Sequence, residues 1–260
     1  MSRLSAVFER GHPAFVAYIM GGDPDLAASQ ALMNALPGAG VDIVELGFPF
    51  TDPMADGPTI EEAGIRARKA GASLRSVLEM AVAFRTEHPD VPVILMGYAN
   101  PVYQMGYANF AQAALDAGVD GLILVDLPPE EDKELRAEMD ARGLSLIRLA
   151  TPTTDAARLP AVVSGSRGFV YYVSMTGVTG GALDSGGSVA DQVARVREAS
   201  GLPVVVGFGV KTPERAAEIA AQADGVVVGS AIVNAMHEGG TEAALDLVHS
   251  LADAAHNASG

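Results

Sequence analysis

Two acidic residues between positions 43 and 58 have the type and setting that proton transfer requires. Glu45 is the one carboxylate in the apolar run 43–47. If its side chain points inward, desolvation raises its pKa and makes it an acid–base group. Asp56 follows in a loop that three prolines stiffen. The alternatives are that Glu45 faces solvent or pairs with an arginine, and that Asp56 only forms an Asp-Gly turn.

Glycine-rich turns in the second half of the chain predict a phosphate site. They follow three apolar runs and fall within 174–188, 207–209 and 229–230. Gly229 and Ser230 also open a short helix, whose backbone N–H groups can bind an anion without lysine or arginine. A single Gly-x-Gly is typical of many tight turns. Three such turns in this order favour a phosphate ester as ligand.

Other chemistries lack the residues they need. The chain has no cysteine, which excludes disulfides, thiolate nucleophiles and cysteine-based zinc sites. Lys69 and Lys133 lie in predicted helices and Lys211 in a turn, so no Schiff-base lysine is expected. The five histidines precede early strands or lie in the C-terminal helices, and no metal site is expected at the functional end. Carboxylate acid–base chemistry remains, without a metal or an imine.

The elements that must position these groups are eight short apolar runs, at 14–20, 42–47, 91–98, 120–127, 144–151, 168–174, 202–210 and 224–233. Their continuous apolar character is typical of parallel strands buried on both faces. Helix-period segments lie between them, at 25–36, 60–70, 74–86, 107–117, 130–142, 188–199 and 213–223. This alternation predicts an α/β fold, a single (β/α)8 TIM barrel domain spanning 1–260. A doubly wound open sheet is the alternative, although it usually has fewer strands at this length.

Three more helices complete the predicted barrel. An extra N-terminal helix at 2–9 covers the barrel floor, a short phosphate-binding helix follows strand 8, and the last helix spans 241–255. In such barrels the functional groups lie at the C-terminal ends of the strands. Both carboxylates and the glycine turns fall there.

Charge and hydropathy restrict the partners. The formal net charge is −15 and the isoelectric point is near 4.6, which argues against nucleic acids and anionic membranes as ligands. We find no apolar run of about 18 residues and no secretory signal pattern at the N-terminus. The expected location is the cytoplasm.

The segment 45–58 resembles the ELG-x-P-[FY]-[ST]-DP-x-ADGP signature of tryptophan synthase alpha chains. Further matches follow in family order, at 22–24, 98–100, 177–180, 207–209 and 229–233. The resemblance therefore covers nearly the whole chain. It implies retro-aldol cleavage of indole-3-glycerol phosphate to indole and glyceraldehyde 3-phosphate. It also implies that indole passes through a tunnel to a beta chain that carries PLP, in an α2β2 heterotetramer, while this chain holds no cofactor.

The resemblance also implies roles for single residues. Glu45 would be the general acid–base, Asp56 would accept a hydrogen bond from the indole N–H, and Tyr171 would orient the carboxylates or the substrate. The phosphate would lie on Gly180, Gly209, Gly229 and Ser230. The indole pocket would be lined by Tyr18, Met96 and Ile123, which could equally be ordinary core residues. The residues facing the beta chain would be Asp52, Pro53 and Asn100, which could equally be turn formers. Thr179 would belong to a lid in which Met175 replaces an arginine of some members.

Three other functions fit the sequence less well, because two of them need residues that the chain lacks and the third would give no role to Glu45 and Asp56. A ribulose-phosphate epimerase needs histidine and aspartate metal ligands at strand ends, and an indole-3-glycerol phosphate synthase needs catalytic lysines there. A subunit that only activates a beta partner would need neither Glu45 nor Asp56.

Overall fold

The computed structural model describes residues 2–173, 188–207 and 209–258. These residues form nine parallel strands and eleven α-helices. The strands are β1 (Ala14–Met20), β2 (Ile43–Gly47), β3 (Val93–Gly97), β4 (Gly121–Leu124), β5 (Ser145–Leu146), β6 (Arg148–Ala150), β7 (Val170–Val173), β8 (Val204–Gly207) and β9 (Gly225–Val228). The helices are α1 (Arg3–Val7), α2 (Leu26–Ala35), α3 (Pro58–Lys69), α4 (Leu74–Glu87), α5 (Ala99–Met105), α6 (Tyr107–Asp116), α7 (Lys133–Ala141), α8 (Leu159–Val163), α9 (Val189–Ser200), α10 (Pro213–Ala220) and α11 (Ser230–His256).

The sheet order is β5-β4-β3-β2-β1-β9-β8-β7-β6. The predicted TIM barrel is confirmed, but its fifth strand is divided in two at Ile147. The N–H of Ile147 still donates to the carbonyl of Leu122 on β4, at 2.9 Å. From Arg148 onward the chain pairs with β7 instead. The two ends of the sheet are therefore halves of one predicted strand, and that strand closes the barrel.

Most predicted helices are present within a few residues of their expected ends. The sequence prediction missed α5 and α8, which are short and each contain a proline near the first turn (Pro101 and Pro160). Helix α11 runs from the end of β9 to His256, and Gly240 interrupts it with φ 75° and ψ −167°. This break separates the short helix after strand 8 from the last helix, close to the predicted start at 241. No helix among the described residues has the length and apolarity to cross a membrane.

The barrel interior is filled by one apolar layer, and α1 covers its floor. Leu4 and Val7 of α1 pack against this interior. The residues of the layer on or next to the strands include Val16, Ile43, Ile94, Ile123, Ile147, Phe169, Val205 and Val227. Burying a side chain of this size contributes about 1.5–3 kcal/mol. The filled interior is a packed core, so a ligand must bind above it, at the C-terminal strand ends.

Three aspartates, here called the floor carboxylates, stand immediately before strands: Asp42, Asp120 and Asp224. Each accepts the backbone N–H of a residue at or beside the start of the adjacent strand. The donors are Phe15 at 2.9 Å, Val93 at 2.9 Å and Val204 at 2.7 Å. Each also pairs with arginine, and these partners are Arg10 at 2.6 Å, Arg85 at 3.0 Å and Arg197 at 2.8 Å. The carboxylates at the floor thus fix neighbouring strands to each other.

Candidate active site

A cavity of about 1000 Å³ lies at the C-terminal ends of the strands. Eight of the predicted site residues line it: Tyr18, Glu45, Asp56, Met96, Tyr171, Gly209, Gly229 and Ser230. They come from β1, β2, β3, β7 and the loops after β2, β8 and β9. The barrel therefore brings together groups that are far apart in the sequence.

Glu45 lies in the middle of β2, between β1 and β3, opposite Tyr18 and Ile94. Its side chain is buried, at 1% relative exposure, and Oε2 has no hydrogen-bond partner among the described residues. This burial raises the pKa of Glu45 to about 8. At neutral pH the carboxyl group is protonated and can donate its proton into the cavity. The side chain therefore points inward, which is one of the orientations that the sequence left open.

Asp56 is only half-buried and has a partner. The hydroxyl of Tyr98 donates to its Oδ1 at 2.8 Å, and the N–H of Ala55 donates to the same hydroxyl at 3.0 Å. Burial raises the pKa of Asp56, and the hydrogen bond from Tyr98 opposes this shift. The two carboxyl groups of this cavity therefore have different environments, one without a partner at its Oε2 among the described residues and one with a hydrogen bond.

Sequence reasoning did not assign a role to Tyr98. The signal that could have found it is its position, immediately after the last residue of β3, where functional residues of such barrels lie. Its ring stacks on Phe50, with centroids 5.4 Å apart. Tyr98 thus fixes the loop that carries Asp56.

Two tyrosines flank Glu45 inside the cavity. Burial raises the phenol pKa of both Tyr18 and Tyr171 well above the ordinary value, and the nearby Glu45 raises it further. A Cβ atom at Gly47 would overlap the hydroxyl of Tyr18, and one at Gly207 would overlap the hydroxyl of Tyr171. From the sequence, Gly207 belongs to a predicted phosphate-binding turn. The structure shows that it makes room for an aromatic ring.

Three of the residues predicted to bind phosphate, Gly209, Gly229 and Ser230, line the cavity. Gly209 has φ 72°, a conformation that favours glycine, and a Cβ there would meet nothing within 4 Å. Gly229 precedes α11 and its position has no side-chain cap, so the first N–H groups of the helix, from Ser230 on, are available to a ligand. The predicted phosphate residue Gly180 and lid residue Thr179 lie outside the described residues, as does Met175.

The structure separates the three residues assigned to the indole pocket. Tyr18 and Met96 line the cavity. Ile123 is fully buried and packs in the barrel interior with Ile94 and Ile147. Ile123 is not among the residues that line the cavity, although Ile147 and Val227 of the same layer are.

A buried ion pair in the cavity wall was also missed from the sequence. Arg148 on β6 contacts the carboxylate of Asp132, which is fully buried just before α7. Burial lowers the pKa of Arg148. Because Asp132 neutralises it, this arginine is not a free cation for a phosphate.

The residues assigned to a partner surface lie beside the cavity mouth. Asp52 and Pro53 belong to the loop after β2, and Asn100 lies in the first turn of α5, so it is helical and not a turn former. Two large apolar side chains in the same segments are exposed, Met54 at 86% and Tyr103 at 64%. The Tyr98–Ala55 hydrogen bond ties the two segments together.

Comparison with known proteins gives one consistent family. A family model described as tryptophan synthase alpha chain matches residues 4–258. The tryptophan synthase alpha chain of Erythrobacter litoralis is 53% identical, over 99% of this chain and 100% of that protein. The one from Novosphingobium aromaticivorans is 52% identical, over 99% of this chain and 98% of that protein.

Solved structures agree in sequence and in fold. Tryptophan synthase subunit alpha from Legionella pneumophila has a TM-score of 0.89 at 39% identity and covers 99% of both chains. A tryptophan synthase structure from M. tuberculosis in an open form has a TM-score of 0.90 at 37% identity and covers 100% of both. The chain therefore belongs to the tryptophan synthase alpha chain family and is an enzyme subunit.

Proposed function

We propose that this chain is a lyase that cleaves indole-3-glycerol phosphate to indole and glyceraldehyde 3-phosphate. The observation that carries the proposal is the buried carboxyl group of Glu45, whose Oε2 has no partner among the described residues and which lines the same cavity as the half-buried Asp56. Burial raises the pKa of Glu45 to about 8, and at Asp56 the hydrogen bond from Tyr98 opposes the upward shift that burial causes. Retro-aldol cleavage of a substrate that carries its own electron sink needs this combination.

The reaction balances without any other reagent. Glu45 donates its proton to C3 of the indole ring, which becomes a cationic indolenine. The resulting carboxylate then takes the proton of the hydroxyl on the carbon attached to C3. As that O–H bond breaks, the aldehyde forms, the bond to C3 breaks and its electron pair returns to the ring. Glu45 ends the cycle protonated, as it began.

Asp56 stabilises the intermediate electrostatically. As its carboxylate, it accepts a hydrogen bond from the indole N–H while positive charge grows on the ring. Tyr98 holds it in place through the 2.8 Å hydrogen bond. Tyr171 borders Glu45 and orients the carboxyl group or the substrate.

The substrate is held at its two ends by different means. The backbone around Gly209, Gly229 and Ser230 binds the phosphate through N–H groups and the N-terminus of α11. Tyr18 and Met96 contact the indole ring. In a chain of net charge −15, backbone donors allow a dianion to bind without a cluster of arginines.

The chain needs no cofactor for this step, because the protonated indole is itself the electron sink. The PLP belongs to a partner beta chain, which would take up the indole. We propose that the beta chain binds over Asp52, Pro53 and Asn100, with the exposed Met54 and Tyr103 in the contact, in an α2β2 heterotetramer. The complex would work in the cytoplasm.

The experiment is indole release from indole-3-glycerol phosphate by the purified chain, with and without a tryptophan synthase beta chain. Slow release by the chain alone and much faster release with the beta chain are the expected results. Binding of the substrate without any indole in either case would contradict the proposal. It would leave a binding subunit or a barrel with other chemistry.

A further inference from the structure

The floor of the barrel holds two imidazoles and one carboxylate that converge on a point. His12, Asp42 and His256 each offer one ligand atom, and these three atoms lie within 4.8 Å of one another. The two imidazole rings are tilted by 53° to each other, with centroids 4.3 Å apart. Nε2 of His256 lies 2.7 Å from Oδ2 of Asp42. The proposed reaction uses none of these groups.

His12 is already oriented in the way that metal-binding histidines usually are. Its Nδ1 lies 3.1 Å from the carbonyl oxygen of Pro13. A proton on Nδ1 makes that contact a hydrogen bond and leaves the lone pair of Nε2 free. Metal-ligating histidines almost always donate their other ring N–H to a carbonyl or carboxylate, which fixes the ring.

Asp42 is fixed independently of the histidines. Its Oδ2 accepts the N–H of Phe15 at 2.9 Å, and its Oδ1 accepts from Arg10 at 2.6 Å. Its side chain is 6% exposed. The carboxylate of Asp42 therefore keeps its position when a histidine side chain shifts by a few tenths of an ångström to reach a metal.

We propose that His12, Asp42 and His256 form a binding site for a divalent transition metal of the zinc class. Imidazole and carboxylate ligands suit Zn²⁺, and three protein ligands with one open position are a common arrangement for it. The metal would replace the proton now shared by His256 and Asp42. A cavity of about 330 Å³ lies beside one of the three ligands, His12.

The site joins three distant parts of the chain. His12 precedes β1, Asp42 precedes β2 and His256 ends α11. A bound metal would fasten the C-terminal helix to the barrel floor, and a ligand that binds only the folded protein stabilises it. The role is structural, since the cavity with Glu45 lies at the other end of the strands.

The test measures thermal unfolding and metal binding on the full chain after treatment with a chelator and dialysis. Zn²⁺ is added from zero to several equivalents, and calorimetric titration gives the stoichiometry. The variants are His12→Gln and His256→Gln. The matched control is His249→Gln, because His249 is an exposed histidine on the same helix.

Wild type and His249→Gln should bind one equivalent of Zn²⁺ and melt at a higher temperature with it. His12→Gln and His256→Gln should weaken this binding on the order of 100-fold and lose the shift, because a ligand is worth at least as much as its outer-shell partner. A wild type that Zn²⁺ does not stabilise would overturn the proposal, as would an equal shift in all four proteins. Circular dichroism before zinc addition confirms that each variant is folded. Indole release is not the readout, so the outcome is separate from that of the proposed lyase activity.

Discussion

Carboxyl groups lie at both ends of this barrel, in opposite surroundings. At the floor, Asp42, Asp120 and Asp224 each accept a backbone N–H and pair with arginine. At the other end, Glu45 is buried to 1% exposure and its Oε2 has no partner among the described residues. Glu45 lies in β2 and Asp42 stands immediately before it, only three positions away.

The difference shows in the pKa values. Burial alone would raise the pKa of Asp42, but hydrogen bonds from His256 and Phe15 outweigh it and hold that pKa below its usual range. At Asp120 burial outweighs Arg3 and Arg85, and the pKa is raised. At Glu45 nothing opposes burial, and the pKa reaches about 8. The partners, and not the residue type, determine whether a carboxylate stabilises the fold or holds a reactive proton.

The largest expected effect on the rate follows removal of the carboxyl proton of Glu45. Glu45→Gln keeps the shape of the side chain and removes the ionisable group, so indole release should fall by about 10⁴-fold or more. Phosphate binding and the fold should remain. The matched control is Glu79→Gln, an exposed glutamate on α4. Near-normal turnover in Glu45→Gln would remove Glu45 from the mechanism.

The same substitution should stabilise the protein, in contrast to its counterpart at the floor. Because the folded pKa of Glu45 is raised from 4.5 to about 8, its contribution to stability is full below pH 4.5 and is lost as pH rises towards 8. At pH 7.5 Glu45→Gln should therefore raise the free energy of unfolding by up to about 4 kcal/mol.

Asp42→Asn, measured with a chelator present, should lower the free energy of unfolding by about 2 kcal/mol, because it leaves Arg10 without its carboxylate. Urea unfolding of Glu45→Gln and Asp42→Asn gives the sign of the change in the free energy of unfolding for each variant. Equal signs would show that the two ends of the barrel do not differ as described.

Loss of the second carboxylate should cost less than loss of the first. Asp56→Asn removes the anion that stabilises the protonated ring, so the rate should fall on the order of 10²-fold, or about 2.7 kcal/mol of barrier. The control is Asp90→Asn, an exposed aspartate in a floor loop. An unchanged rate would make Asp56 a turn residue only.

The pH profile of kcat/KM should have two limbs. Activity should fall as pH rises through about 8, where Glu45 loses the proton that C3 requires. It should also fall in acid, where Asp56 becomes protonated, at a pH above the ordinary aspartate range because burial raises its pKa. A flat profile from pH 6 to 9.5 would contradict the role of Glu45.

The smallest expected effect is that of a chelator on turnover. The chemistry is carried by carboxyl groups, so the rate at a fixed moderate temperature should stay within about twofold of the untreated enzyme. Loss of activity that Zn²⁺ or Mg²⁺ restores would show that the catalytic end contains a metal. If the chelator changes thermal unfolding and leaves turnover unchanged, the metal it removes is bound at the floor of the barrel and not at the catalytic end.

The sequence was sufficient to predict a feature where the pattern that indicates it lies within a single segment of the chain. The apolar runs predicted the barrel, and one carboxylate within an apolar run predicted the buried Glu45. It was insufficient where contacts join distant segments. Tyr98 and Asp56 meet across 42 positions, and His12 meets His256 only because the barrel closes.

Side-chain direction was the other source of difference. On β4, Ile123 packs in the barrel interior and is not among the residues that line the cavity. At the end of β8, Gly207 accommodates the ring of Tyr171. Neither property can be obtained from residue type alone, because each depends on how close the next strand lies.

The most direct test is the carboxyl pKa of Glu45 itself. Carbon-13 NMR of the protein labelled at glutamate carboxyl carbons, titrated from pH 4 to 9.5, follows that group, and the Glu45→Gln spectrum assigns its signal. The account predicts a signal that titrates near pH 8. A Glu45 that titrates near 4.5, like an exposed glutamate, would contradict the claim that an unpaired buried carboxyl group supplies the proton.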